Sequence, residues 1–257
     1  MRRLISLILA VLGLSGCAQF RNCSDDPECV RILFLGNSYT FENDLPAMLS
    51  KLAQAGGQRV ETGMLAEGGW TLAQHAESAA TADQLRSSKW NIVVLQEQSQ
   101  MPASKPAREA SMYPAARTLA SEIKAVGATP MLFVTWGHRA GWPENGMPGY
   151  EAMQLQINGG YLALGQELKL SMSPVGYAWL AMSRQHPEID LWQEDGSHPN
   201  EQGTYLAACV FYTVIFQKST VGLSYIGSLS KENAELIQKV ASDTVLNNGK
   251  KWRLPLQ

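Results

Sequence analysis

The chain has 257 residues, of which 45% are hydrophobic and 17% charged, with 21 Lys and Arg against 23 Asp and Glu. This balance excludes a disordered or coiled-coil chain, and the lack of a basic excess argues against nucleic acid as a partner. The length suits one α/β domain whose core needs no staples.

Arg2 and Arg3 open the sequence, and Leu4–Leu14 is an eleven-residue apolar run. A bilayer span needs about 20 residues, so this run reads as a signal peptide. It ends in Leu14-Ser15-Gly16-Cys17, which resembles the lipobox of bacterial lipoproteins. The resemblance implies that residues 1–16 are removed and that Cys17 is lipidated, anchoring the protein to the membrane. Ala18 stands where an Asp would imply inner-membrane retention. The outer membrane, facing the periplasm or the cell surface, is therefore the implied location. Residues 17–29 then form a linker, and 30–257 the folded domain. Cys23 and Cys29 bracket a polar stretch and can close a small loop in an oxidising compartment.

Val30–Leu35 is a short apolar run that reads as a buried strand ending at Gly36. Asp44 to Ala55 places Leu45, Met48, Leu49 and Leu52 at helical spacing before Gly56-Gly57. Further strands are expected at Arg59–Leu65, Ile92–Leu95, Met131–Thr135 and Met172–Gly176. Helices are expected at Lys105–Val126, Tyr150–Lys169, Asn200–Phe216 and Lys231–Leu246. Cys209, within the apolar part of the third of these helices, reads as an inert buried thiol. Strands alternating with helices imply a parallel sheet covered on both faces, with substrate bound beyond the carboxyl ends of its strands.

Three loops carry candidate chemistry. Gly36-Asn37-Ser38 follows the first strand, and a serine there can act as a nucleophile beside the free N–H groups of a helix start. Asp195-Gly196-Ser197-His198 precedes a helix near the far end. An Asp three residues before a His at a turn can orient the imidazole and leave Nε2 to accept a proton. The third loop, Gln96-Glu97-Gln98-Ser99-Gln100, offers side-chain amide donors. His138 lies at the same sheet edge and can contact substrate. His75 reads as a supporting residue and His186 as a surface one. Trp70, Trp136, Trp142 and Trp192 lie near loops and can stack on sugar rings.

Gly36-Asn37-Ser38 together with Asp195-x-x-His198 resembles the GDSL/SGNH hydrolase superfamily, serine esterases on a flavodoxin-like three-layer α/β sandwich. The resemblance runs from Val30 to the helix after Asn200. It implies Ser38 as nucleophile, His198 as base, Asp195 as its partner and Gly69 as a backbone oxyanion donor. Two departures are visible: Asn37 replaces the usual Asp, and no Gly-x-Asn-Asp follows the third strand. The Gln-rich segment there resembles some carbohydrate-esterase branches. If the strand continues, Gln96 and Gln98 share one face, and on that basis Gln96 is the expected side-chain oxyanion donor and Gln98 the second. The superfamily's usual spacing would select Gln100.

The expected function is a serine esterase acting on an ester substrate, such as O-acetyl groups on carbohydrate. The alternative is a weakly catalytic carbohydrate-binding lipoprotein that keeps the fold. No motif calls for a metal or a cofactor.

Overall fold

The structure, a computed structural model, describes residues 23, 26, 28–247 and 252. The proposed signal peptide and Cys17 lie outside the described residues.

Five parallel strands form one sheet: β1 (Val30–Gly36), β2 (Val60–Ala66), β3 (Ile92–Leu95), β4 (Thr129–Phe133) and β5 (Ser171–Ser173). Their order, β2-β1-β3-β4-β5, is that of a flavodoxin-like doubly wound fold. Ile32 to Leu35 and Val93 to Leu95 are wholly buried, which accounts for their unbroken apolar sequence: helices cover both faces of a central parallel strand. Leu35 lies level with both Leu65 and Leu95. Gly36, Ala66 and Leu95 therefore end at one sheet edge, and the three loops that follow converge there.

The helices are α1 (Ser38–Phe41), α2 (Leu45–Ala55), α3 (Leu72–Glu77), α4 (Ala79–Arg86), α5 (Lys105–Ala107), α6 (Tyr113–Ala125), α7 (Tyr150–Leu168), α8 (Val175–Gln185), α9 (Glu201–Phe216) and α10 (Lys231–Leu246). The chain steps from β1 to β2 and then reverses toward β3, β4 and β5. Right-handed crossovers accordingly put α2 on one face and α3 and α6, which pack together, on the other. The reversal opens a crevice between the ends of β1 and β3.

α9 shares the face of α2 and packs on the sheet through Phe211, whose ring meets Phe34 at 5.4 Å and Phe133 at 4.9 Å. Between the sheet, α2 and α10, every residue from Gly203 through Ile215 is buried. That is why its sequence is apolar without a polar stripe. Cys209 lies in this run, and burial pushes its thiol up to about 12. It is a packing residue.

Three local expectations change. The fifth strand is Ser171–Ser173, and residues 175–176 start α8, whose buried Val175, Ala178, Trp179 and Met182 follow helical spacing. α3 and α4 fill the stretch between β2 and β3, where no element was expected. The Lys105–Val126 helix is interrupted by a π-helical turn over Arg108–Met112. Pro114, two residues on, has no N–H and crowds the carbonyl of residue 110, so the regular ladder cannot pass through unaltered. Cys23 and Cys29 are disulfide-bonded, and the Cys23 N–H donates to Glu61 Oε2 on β2 at 3.1 Å.

Candidate active site

Ser38 stands just beyond β1 as the first residue of α1, behind Asn37. The Asn37 side chain caps this turn by accepting the Tyr39 N–H at 3.1 Å, and its amide nitrogen donates to the Trp70 carbonyl at 2.8 Å. One side chain thus supports the serine turn and ties it to the loop after β2. A second tie runs to the far loop. Asn43, in the left-handed conformation at φ 52°, donates to the Pro199 carbonyl at 3.0 Å and to Thr204 Oγ1 at 2.9 Å.

The loop from Asp190 to Asn200 carries Asp195 and His198. Asp195 Oδ1 accepts the N–H groups of Ser197 at 2.9 Å and His198 at 3.0 Å, and its Oδ2 is hydrogen-bonded to His198 Nδ1. Burial pushes the Asp195 carboxyl up, but the hydrogen bonds from the His198 ring and the two backbone N–H groups outweigh it and hold the group at about 2. An ionised carboxylate only accepts, so His198 Nδ1 carries the hydrogen and Nε2 is left as the acceptor. That Nε2 lies 2.9 Å from Ser38 Oγ. Three residues, the first and last 160 positions apart in sequence, are brought into one hydrogen-bonded row.

Ser38 and His198 open onto a cleft of about 550 Å³ whose walls include Gly68, Gly69, Gln98, Gln100 and His138. Gly69 adopts φ +73°, a left-handed conformation that favours glycine, in a turn closed by the Trp70 N–H on the Glu67 carbonyl at 3.1 Å. The backbone N–H groups of Ser38 and Gly69 have no acceptor among the described residues.

The Gln-rich loop does not follow strand parity, because β3 stops at Leu95. Gln96 turns away from the cleft and is wholly buried. Its Nε2 hydrogens are spent on Asn37 Oδ1 at 2.9 Å and the Glu97 carbonyl at 2.6 Å. The expectation that Gln96 donates to an oxyanion is therefore corrected: it has no hydrogen left to give. Gln98 does line the cleft. Its Oε1 shapes the loop by accepting the Gln100 and Met101 N–H groups, while Nε2 donates to Ser99 Oγ at 3.1 Å. Gln100 lines the cleft, and its side-chain amide makes no hydrogen bond among the described residues.

Several supporting residues were not expected from sequence. Arg139 donates its N–H to the Gly196 carbonyl at 2.7 Å, and its guanidinium grips Asp190 and the carbonyls of Trp192 and Gln193. Tyr39 stacks on Trp136 at 4.4 Å and Trp136 on Trp179 at 4.0 Å. From this stack the Tyr39 hydroxyl pairs with Ser197 Oγ at 2.9 Å, and Trp136 Nε1 donates to the Ser197 carbonyl at 3.0 Å. Ser197 is thus gripped on both sides, which steadies the adjacent His198. Glu97 is buried and accepts the Leu72 and Gln98 N–H groups at 3.1 and 2.7 Å, joining two of the converging loops. Burial pushes its carboxyl up to about 7 against the pull of those bonds.

Sugar stacking by tryptophan finds no support, since none of the seven tryptophans lines the cleft. Trp136 and Trp192 are packing residues, and Trp70 meets His75 edge-on at 5.0 Å. The residues with phenyl or phenol side chains that line the cleft are Tyr39 and Phe41. His75 donates from Nε2 to the Gly36 carbonyl at 2.8 Å, and burial holds its pKa below the usual value, so it supports the β1 end as a neutral ring. His138 reaches Ser99 Oγ at 3.1 Å in the cleft wall, its pKa likewise lowered by burial.

No protein-family model and no curated protein matches the sequence. Solved structures do match. A protein from Slackia heliotrinireducens described as an SGNH hydrolase is 31% identical, with a TM-score of 0.62 over 72% of this chain and 97% of that one. A DUF4886 family protein from Bacteroides uniformis is 18% identical, with a TM-score of 0.74 over 85% of this chain and 95% of that one. An acetyl xylan esterase is 14% identical, with a TM-score of 0.57 over 72% of this chain and all of that one. The last two share the fold. The first is similar in sequence over nearly its whole length, and on that ground the chain belongs to the GDSL/SGNH superfamily of ester-acting hydrolases.

Proposed function

We propose that this protein is a serine esterase working through Ser38, His198 and Asp195 and a covalent acyl-enzyme. The observation that carries the reading is the 2.9 Å contact of Ser38 Oγ with a His198 Nε2 left free to accept by the Asp195 bond at Nδ1. In this reading His198 takes the hydroxyl proton as Ser38 Oγ attacks the ester carbonyl. The carboxylate of Asp195 stabilises the imidazolium, which then protonates the leaving alcohol. Water, deprotonated by the same ring, releases the acid. Turnover of an aryl acetate, with a fluorophosphonate label found on Ser38 by mass spectrometry, tests this. A label on another serine overturns the assignment.

The oxyanion that forms needs preorganised donors. The free N–H groups of Ser38 and Gly69 are two, and we assign the third to the Gln100 amide, the one glutamine of the loop whose side chain is uncommitted. Gln98 is second, with one hydrogen remaining. Gln100→Ala is expected to lower kcat about 10²–10³-fold with little change in KM. Wild-type kcat in that variant, with a large loss in Gln98→Ala, moves the role to Gln98.

The proposed substrate class is a short-chain ester of a polyhydroxylated alcohol, such as an acetylated carbohydrate. The polar cleft wall of Gln98, Ser99, Gln100 and His138 supports it, as does the shared fold with an acetyl xylan esterase. The lipobox-like Leu14-Ser15-Gly16-Cys17 supports a lipid anchor in the bacterial envelope. Metabolic labelling with palmitate is expected to mark the full-length protein and to be lost in Cys17→Ala. An unlabelled wild-type precursor removes the anchor.

A further inference from the structure

Gln96 is spent on contacts within the protein, and those contacts join the loops that carry the proposed oxyanion donors. We infer that Gln96 is a positioning residue: its amide, clasped to Asn37, holds the Ser38 turn and the Gly69 turn at the spacing that their two N–H groups need.

The orientation of the clasp follows from donor and acceptor chemistry. The Tyr39 N–H donates to Asn37 Oδ1, and the Trp70 carbonyl accepts from Asn37 Nδ2. A backbone N–H cannot accept and a carbonyl cannot donate, so the Asn37 amide has one permitted orientation. Its oxygen therefore also receives Gln96 Nε2, at 2.9 Å. The Gln96 oxygen is then turned to the Asn37 N–H at 2.8 Å and the Thr40 hydroxyl at 2.9 Å. With the Glu97 carbonyl at 2.6 Å on the second Nε2 hydrogen, both hydrogens and both lone pairs are used. Gly36 permits this approach, since a Cβ there would lie 2.5 Å from both Gln96 Oε1 and Thr40 Oγ1.

The clasp reaches both turns. On one side it holds Asn37, next to Ser38; on the other, through Asn37 Nδ2, it holds Trp70, next to Gly69. It also accounts for Asn37 in place of the usual Asp. An Asp at 37 would set a carboxylate against the Trp70 carbonyl, and a Glu at 96 would set one against Asn37 Oδ1. Two amides satisfy every partner.

The inference rests on the esterase reading, and the experiment separates the two. Gln96→Leu keeps the bulk and removes every polar contact. Gln96→Glu keeps the acceptor but, when ionised, faces two acceptors. Both are expected to lower kcat on an aryl acetate about 100-fold with KM nearly unchanged, because Gln96 touches no substrate and acts on transition-state donors. A protonated Glu regains one O–H donor, so the ratio of Gln96→Glu to wild type is expected to rise as pH falls from about 8 to about 5, while the Gln96→Leu ratio stays flat. The groups in hydrogen-bond contact with position 96, Asn37, Thr40 and the Glu97 carbonyl, do not titrate. Two titratable groups lie nearby: the Glu97 carboxyl, pushed by burial up to about 7, accepts the Leu72 and Gln98 N–H groups, and the His75 ring, its pKa lowered by burial, donates to the Gly36 carbonyl. Both are present in wild type and in both variants, and the Gln96→Leu ratio is the control for their titration.

Wild-type kcat in Gln96→Leu overturns the inference. Equal losses in both variants at every pH also overturn it, because packing alone then accounts for them. Should Gln96→Glu not fold, Thr40→Val removes one bond to Gln96 with little change of shape and is expected to lower kcat about 5-fold at unchanged KM. Wild-type kcat there is equally fatal. A wild-type protein without aryl acetate turnover removes the esterase reading and this inference with it.

Discussion

A Ser38→Ala variant is expected to fold normally and to lose about 10⁶-fold in kcat on an aryl acetate. The fold should be untouched, because the one side-chain partner of the hydroxyl among the described residues is His198 Nε2. The activity should collapse because, among the described residues, no other hydroxyl lies in hydrogen-bond contact with that nitrogen. The Ser99 hydroxyl is bonded instead to His138 Nε2 and Gln98 Nε2. His198→Ala is expected to cost a similar factor, since an un-ionised serine is a weak nucleophile without its base. The double variant should be no worse than either single one, because the two groups act as a unit. Melting temperature and steady-state kinetics of the three variants check this, and losses that multiply would show that serine and imidazole do not act in one step.

Asp195→Asn is expected to cost about 10⁴-fold in kcat while leaving the loop in place. The argument is geometric. Asp195 Oδ1 accepts two backbone N–H groups, from Ser197 and His198, and neither can be satisfied by an amide nitrogen. The Asn oxygen must therefore stay at that position, which turns its NH₂ toward His198 Nδ1. The ring then has to present Nδ1 as the acceptor and carry its hydrogen on Nε2, so it can no longer take the Ser38 proton. The loop survives because Arg139 and the Tyr39–Trp136 stack hold it independently. A rate within about tenfold of wild type would mean that Asp195 does not set the tautomer. NMR of the His198 ring nitrogens in the variant reports the tautomer directly.

The elements that local pattern can specify were legible in the sequence. The apolar runs of β1 and β3 reveal strands covered on both faces, and their alternation with helical spacing points to the doubly wound sheet. The positions of Ser38 and Gly69 between a strand and a helix, and of Asp195 and His198 in a turn before a helix, were legible as well, because turn chemistry is written in adjacent residues. The hydrophobic face of α8 was equally present, at Val175, Ala178, Trp179 and Met182, but a short run after a Pro is ambiguous between strand and helix. Which glutamine faces the cleft was not legible. That choice depends on where β3 stops and on what Gln96 finds once it has turned, and its partners Asn37 and Thr40 lie 59 and 56 residues away in the chain. The roles of Arg139, Asn43 and the tryptophan stack were hidden for the same reason. Periodicity and capping act over a few residues and are therefore written locally, whereas a side-chain hydrogen bond across converging loops exists only after the sheet has brought its strand ends together, so tertiary structure alone decided those partners.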